Sequence, residues 1–513
     1  MRCSYSSKPS QTHPDSLFTY TSGLWLWNEK KQLDERYRRF NVPKLEEAAC
    51  RATGSTRCLS LEKIGEGNFN KAYRLVMEGG QKVVAKVPHP NAGPAVFTTA
   101  SEVATMEFAR TILGLPVPKI LAWSASEKNP VEAEYIIMEE AQGSQLHEVW
   151  EKLPLRAKSD IMDRIVDVES KLLSVSFHRL GSLYFHDSNI PGCEPAVATA
   201  DSQNISDQIR SKFSIGPIVR REFWGKERSS MHQHHGPWKS AAEYLTSIAN
   251  REIEWIKAYA PSQGAATDSR RKFQYSSPDQ HSPDAHISAL EKFRAAVPYI
   301  VPQDPDLVSP RFWHPDFHAG NIYVNDEGQI SSIIDWQGAW TTPVFIGATP
   351  PLLLDYSVEM LMKLPDDFKS LEEAEKQKLR YQVAQSILIY GYETETANKN
   401  PLMHKMMHHP HGQTLKQLEA FASSTWDNCL FPLRECLINV EREWEHFGVN
   451  ESCPYHFTEE EIERHYKETD TFNESQEFWK SVNQVLTDEG YTSNDTYEQA
   501  QEIVEVMERI QDQ

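Results

Sequence analysis

One stretch of this chain restricts its fold more than any other. Phe312-Trp313-His314-Pro315-Asp316-Phe317-His318-Ala319-Gly320-Asn321 is followed by the apolar run Ile322-Tyr323-Val324, then Asn325-Asp326-Glu327-Gly328, then Ile330-Ser331-Ser332-Ile333-Ile334 and Asp335-Trp336. Two short apolar runs around an Asp-Glu-Gly turn predict an antiparallel hairpin. Residues about equally far from the turn sit opposite each other, so Asn321 and Asp335 are expected at the same open end, to within a residue or two of register.

Two oxygen donors at one point suit a hard cation such as Mg²⁺, which takes one or two protein ligands and completes its shell with phosphate and water. Asp316 lies on a tight loop just upstream, where it can orient or deprotonate an attacking hydroxyl. The spacing HxDxxxxN with a second Asp after a hairpin is the phosphoryl-transfer pattern. His314 reads as a structural residue that hydrogen-bonds the loop, and His318 as a loop residue.

A second signal lies upstream. Gly65-Glu66-Gly67-Asn68-Phe69-Asn70-Lys71 sits between strand-like runs, and a GxG turn alone says little, because glycines serve turns for conformational reasons. Val83-Val84-Ala85-Lys86 follows on a returning strand, where Lys86 alternates with core-type residues and can cover bound phosphates. The helix expected over Thr99 to Leu113 places Glu102, Met106, Ala109 and Leu113 on one face. A glutamate on a buried stripe wants a cationic partner, and Lys86 is the natural one.

Around these motifs the chain reads as a β-meander (Ala72 to Met77, a Glu78-Gly79-Gly80 turn, Lys82 to Val87), the Thr99 helix, a strand over Glu134 to Met138, and mainly helical patterns from Leu146 onward. Helices are expected over Ala157 to Val175, Ala241 to Tyr259 and Leu371 to Tyr392. Tyr184 to Ser214 and Pro261 to His286 look irregular and are expected to be surface insertions. Residues 1–57 read as an extension in which Trp25 and Trp27 precede a short docking helix, residues 58–140 as a small β-rich lobe, 141–450 as a helical lobe, and 451–513 as an acidic helical tail.

Charge and composition narrow the class further. The 513 residues carry 53 Lys and Arg against 73 Asp and Glu, a net charge of −20, which argues against a nucleic-acid binder. The tail alone holds 17 acids against 4 bases, so most of that charge is terminal. This balance also suits a cationic small molecule. No run reaches the ~18 consecutive apolar residues that a membrane helix needs. Seven cysteines without CxxC spacing indicate neither a disulfide framework nor a zinc site. The residues before Asp15 are acid-poor and Ser-containing, faintly like a mitochondrial presequence. The His404, Met406, Met407, His408, His409 and His411 cluster, and His232, His234 and His235, read as exposed loop and not as metal ligands, since ordered ligand spacing is lacking.

The chain resembles the aminoglycoside phosphotransferase and choline kinase-like superfamily. The segments YTSGLWLWNE, GEGNFNKAYRLVM, NAGPAVFTTASEVATMEFAR, YIIMEEAQGSQL, FWHPDFHAGNIYV and IIDWQGAW look like the fungal family called altered inheritance of mitochondria protein 9, over roughly Phe18 to Gly448. The resemblance implies an α+β, bilobal protein-kinase-like fold and an ATP- and Mg²⁺-dependent transfer of the γ-phosphate to a hydroxyl of a small molecule. By that resemblance Asp316 is the catalytic base and Asn321 and Asp335 bind magnesium. Lys86 contacts ATP phosphates under the Gly65, Gly67 and Asn68 loop, and Glu102 fixes Lys86. The backbone from Glu139 to Ala141 holds adenine. It also implies a mitochondrial protein, with a cytoplasmic one as the alternative.

Three departures qualify the match. Pro315 stands where a glycine is usual after the catalytic-loop histidine, Asp335 is followed by Trp336-Gln337 instead of Phe-Gly, and no Arg precedes Asp316. The last two, with no APE segment, point away from ordinary protein kinases and toward the small-molecule branch. The alternative from another class is a catalytically inactive kinase-like scaffold in mitochondrial maintenance, against which the intact Lys86, Asp316, Asn321 and Asp335 set speaks. Neither the acceptor nor the oligomeric state is encoded legibly.

Overall fold

The structure, a computed structural model, describes residues 14–260, 273, 277–448 and 450–511. The expected presequence therefore lies outside the described residues, as does most of 261–276. The chain has a kinase-like α+β fold with a β-rich N-terminal lobe and a mainly helical C-terminal lobe.

The small lobe is a five-stranded antiparallel sheet. Its order is Cys58–Glu66, Asn70–Met77, Lys82–Pro88, Tyr135–Glu139, Ile120–Ser124. The turn between the second and third strands uses Gly79 and Gly80 at φ 99° and 86°, values that only glycine adopts without strain. Period-2 alternation buries Tyr73, Leu75, Met77, Val83, Ala85 and Val87 on one face. That face is covered by the Val42–Thr53 helix, which presents Leu45, Ala48 and Ala49 to it. Asn41 caps this helix by accepting from Lys44 N at 3.2 Å, and Gly54 ends it at φ 71°.

The helix that carries Glu102 runs from Phe97 to Thr111 and is buried on nearly all sides, from Thr98 to Met106 without a break. Met106, Phe108 and Ala109 join the core of the large lobe, so the helix is wedged between the lobes. Helices buried all round depend on packing more than on an amphipathic stripe. The chain crosses to the large lobe at Gly143, φ 93°, where a Cβ would overlap Val324 O.

The large lobe packs helices Ala241–Tyr259, Pro283–Ile300, Gly412–Ala422 and Leu430–Arg442 around one apolar core, while Glu373–Lys399 packs on Leu155–Leu172 in a second cluster built on Ile161, Ile165, Leu388 and Tyr392. It is less purely helical than expected. Ser182–Phe185 pairs with Phe213–Gly216, and Pro310–Trp313 with Trp340–Pro343.

The insertion reading of Tyr184 to Ser214 is wrong. Ala196, Ala198, Ile209 and Phe213 are buried in the main core, and Gln203–Lys212 is a helix capped by Ser202. The strands there span two to four residues, too few for periodicity to show. The loop reading of residues 404–411 is likewise corrected at its start, since Pro401–Met407 is a helix that buries Met403 and Met406.

The two ends of the described chain meet. Gly23–Trp25 pairs antiparallel with Tyr491–Ser493. Trp27, Trp479, Leu486 and Ala500 form a separate apolar cluster with Phe273. The tail helices are Glu459–Val482, opened by a Thr458/Glu461 capping box, and Tyr497–Gln511. Among the described residues, no helix is long and apolar enough to cross a membrane.

Candidate active site

The hairpin forms in the expected register. Ile322 lies opposite Ile333 and Tyr323 opposite Ser332, with a bulge before Val324. Ile334 N donates to Asn321 O at 3.0 Å, so Asn321 and Asp335 flank the open end. The loop before the hairpin is stitched by His314, which is buried. Its Nδ1 accepts from Asp316 N at 3.1 Å and its Nε2 donates to Ile334 O at 2.9 Å, which fixes one neutral tautomer. Burial lowers its pKa to about 4, so it stays uncharged near neutrality. It is a structural residue, as its position in the sequence indicated.

Asp316 projects from this loop with its side chain 63% exposed, open to an incoming molecule. Its Oδ2 lies 3.3 Å from His318 Nε2. His318 Nδ1 accepts from Gly320 N at 2.9 Å, which leaves the ring proton on Nε2, facing Asp316. That hydrogen bond is the main reason the Asp316 carboxyl is held below the usual carboxylate range. His318 was missed as a functional residue, and its only signal in the sequence is its place two residues after Asp316. Asn321 Nδ2 donates to Asp316 O at 2.9 Å, so the amide oxygen lies on the opposite side of the group.

Lys86 reaches across the cleft. Its Nζ donates to Glu102 Oε1 at 2.6 Å and to Asp335 Oδ1 at 2.9 Å. Burial alone would depress the ammonium, but Asp335 and Glu102 outweigh it and raise the pKa, so Lys86 is charged. Asp335 is pushed up by burial and more strongly down by Lys86, with a net lowering. Asp335 sits at φ 62°, in the left-handed region that non-glycine residues rarely occupy. The backbone is held there by the next two side chains. Trp336 is fully buried, stacks on Phe312 at 5.9 Å and donates to Ile333 O at 2.9 Å.

Gln337 is the second residue missed. Its Oε1 accepts from Asn70 Nδ2 at 2.7 Å and its Nε2 donates to Ala92 O at 3.0 Å. It ties the Asp335 turn to the end of the glycine loop. In that loop Gly67 N donates to Asn70 O at 2.9 Å, His89 N to Phe69 O at 2.8 Å, and Asn68 O faces His89 Nδ1 at 3.2 Å. Gly65 pairs with Ala72, which itself lies opposite Lys86, so the loop sits at the end of the sheet one strand away from the Lys86 strand.

Glu139 and Ala141 lie apart, at the crossing between lobes. There Glu139 N donates to Lys119 O at 3.0 Å and Glu140 O accepts from Gln142 Nε2 at 2.8 Å. The histidine clusters do not join the site. Among the described residues no group of three His, Cys, Asp or Glu could hold a metal ion.

A kinase-like fold with an Asp, Asn and Asp set facing a lysine across the cleft defines a class, and sequence comparison assigns the chain within it. The model of the phosphotransferase enzyme family (APH) matches residues 60–345, which include every candidate site residue, and the chain belongs to that family. It is 31% identical over 486 residues to a subtelomeric hrmA-associated cluster protein of Aspergillus fumigatus, covering 87% of this chain and 91% of the relative. It is 24% identical to the altered inheritance of mitochondria protein 9, mitochondrial, of Saccharomyces cerevisiae, covering 90% and 84%. A solved ternary complex of APH(2″)-IIa with streptomycin and ATP aligns at TM-score 0.37 and 12% identity, covering 79% of this chain and 98% of that one. At that score the superposition adds nothing to the sequence matches.

Proposed function

We propose that this chain is an ATP- and Mg²⁺-dependent phosphotransferase that moves the γ-phosphate to a hydroxyl of a small molecule, with Asp316 as the catalytic base. The observation that carries the proposal is the Lys86 ammonium held between Glu102 and Asp335, at 2.6 and 2.9 Å, beside the hairpin mouth that presents Asn321. This donor set fits the group it would hold. Asp335 and the Asn321 amide oxygen are hard oxygen ligands, and two are enough for Mg²⁺. When bound, the ion would neutralise charge on the transferring phosphoryl group.

The protein's own residues do the rest. Lys86 binds outer phosphates, oriented by Glu102. Gly65, Gly67 and Asn68 supply backbone above them, and Glu139 to Ala141 offer backbone groups to adenine. Asp316, ionised and exposed, accepts the acceptor's hydroxyl proton at a carboxylate oxygen while His318 holds its orientation. An acidic balance suits a cationic acceptor. The division of the chain near residues 57, 140 and 450, and a mitochondrial location, belong to the same proposal; the location is supported by the name of the yeast relative.

The test is a screen of hydroxyl-bearing metabolites with the purified chain and Mg-ATP, scored by phosphorylated product. The wild type should yield one, and Asp316→Asn should abolish transfer while keeping ATP binding. Retained turnover in that variant refutes the assignment of the base. Mg-ATP binding with no product from any acceptor would favour the inactive scaffold.

A further inference from the structure

The glycine loop is gripped by parts of the chain that lie outside the family match. Glu66, between the two loop glycines, has a side chain only 1% exposed. Its Oε1 accepts from Thr21 N at 2.5 Å, Thr21 Oγ1 at 2.9 Å and Ser22 Oγ at 2.9 Å. Its Oε2 accepts from Lys63 Nζ at 2.9 Å. A buried carboxylate with this many donors is an anchor, since each lost donor would leave charge unpaired.

At the other end of the loop Lys71, also buried, donates to Arg36 O at 2.6 Å and approaches His89 Nε2 at 3.1 Å. Burial keeps His89 neutral, with a pKa near 3. Its Nδ1 can therefore donate to Asn68 O, and the lysine, imidazole and loop carbonyl form one chain of hydrogen bonds. The segment that supplies Thr21, Ser22 and Arg36 is itself clasped by the tail. Besides the strand pairing, Leu26 N donates to Gly490 O at 2.9 Å and Asn494 Nδ2 to Thr21 O at 2.9 Å. Arg36 lies 4.5 Å over the Trp25 ring, and Trp25 packs on Tyr491 at 5.1 Å.

We propose that Glu66 is a positioning residue through which the Thr19 to Arg36 segment, locked by the Tyr491–Ser493 strand, holds the glycine loop in its phosphate-binding shape. This deepens the phosphotransferase reading and rests on it. A GxG loop left free has to be ordered each time phosphates bind, whereas a loop fixed beforehand does not, so the clasp should act on phosphate affinity. Adenine, held at the lobe crossing, should be indifferent to it.

The test is calorimetric titration of the full chain with Mg-ATP and, separately, with adenosine. Two variants probe the clasp from opposite ends: Glu66→Ala at the loop, and Gly23→Val, whose Cβ would overlap Thr492 O in the strand pair. Both should bind Mg-ATP at least about tenfold more weakly and adenosine as before. If Glu66→Ala does not fold, the pair Thr21→Val and Ser22→Ala removes two donors without touching the loop and should give the same selective loss. Unchanged ATP affinity, or an equal loss for ATP and adenosine, overturns the inference while leaving the phosphotransferase reading intact. A wild-type chain that binds no Mg-ATP overturns both.

Discussion

Lys86 is the residue on which most of the site's electrostatics converge. Removing it strands Glu102, whose side chain is 4% exposed, without a cation. Loss of one partner from a buried pair typically costs about 3–5 kcal/mol, whereas an apolar replacement of both is far milder. Lys86→Ala should therefore lower stability by several kcal/mol, and Lys86→Met with Glu102→Leu should recover much of it. A denaturant series on the single and double variants measures the coupling, and additive losses would mean that the pair does not interact. His318 offers a second probe at this scale. Its hydrogen bond is the largest influence lowering the Asp316 pKa, so His318→Ala should raise that pKa. If Asp316 is the base, as proposed, the acid limb of the phosphate-transfer rate should then move to higher pH. The Lys86 to Glu102 pair was legible in the sequence because charge on a buried face demands a partner. His318 and Gln337 were not, because each acts through contacts that only the folded loop creates.

Among the elements, the Leu155–Leu172 and Glu373–Lys399 helices bury a titratable group between them. Glu169 is fully buried with Tyr392 OH donating to its Oε2 at 2.9 Å, and burial raises its pKa from 4.5 to about 8. The folded state holds a proton that the unfolded state has lost between those two values. Stability contributed by this group is therefore present in acid and declines as pH rises from about 4.5 to about 8. Glu169→Gln should flatten that dependence, read as the melting midpoint against pH, and an unchanged slope would show that another group is responsible. The crossing between lobes makes a second demand. Gly143 at φ 93° faces Val324 O, so Gly143→Ala should destabilise the chain, on the order of 1–3 kcal/mol in denaturant unfolding. The long helices and the hairpin could be read from periodicity and turn chemistry. The short strands inside 182–216 could not, because two to four polar and apolar residues look the same in a loop as in a strand.

For the whole molecule, the union of the two chain ends was the least legible feature. Trp25 and Trp27 announced a docking segment, but nothing local in the sequence says that its partner lies more than four hundred residues away. The cluster around Trp27, Trp479 and Leu486 is separate from the main core. It is small and made largely of residues from the acidic tail, so it should open below the temperature at which the lobes unfold. Hydrogen exchange should show residues 459–511 opening together at lower free energy than the large-lobe helices, and uniform protection would contradict this. Because like charges in the tail repel, added salt should raise the stability of that opening unit.

The proposed function has Lys86, Asn321 and Asp335 converge on a divalent ion and the outer phosphates of a nucleotide. Its most direct test is a calorimetric titration of ATP into wild-type and Asp335→Ala protein, with and without Mg²⁺. The wild type should bind at least about tenfold more tightly with Mg²⁺ than without, and Asp335→Ala should lose that difference. Binding indifferent to Mg²⁺ in the wild type, or a metal dependence that survives in Asp335→Ala, would rule out that convergence.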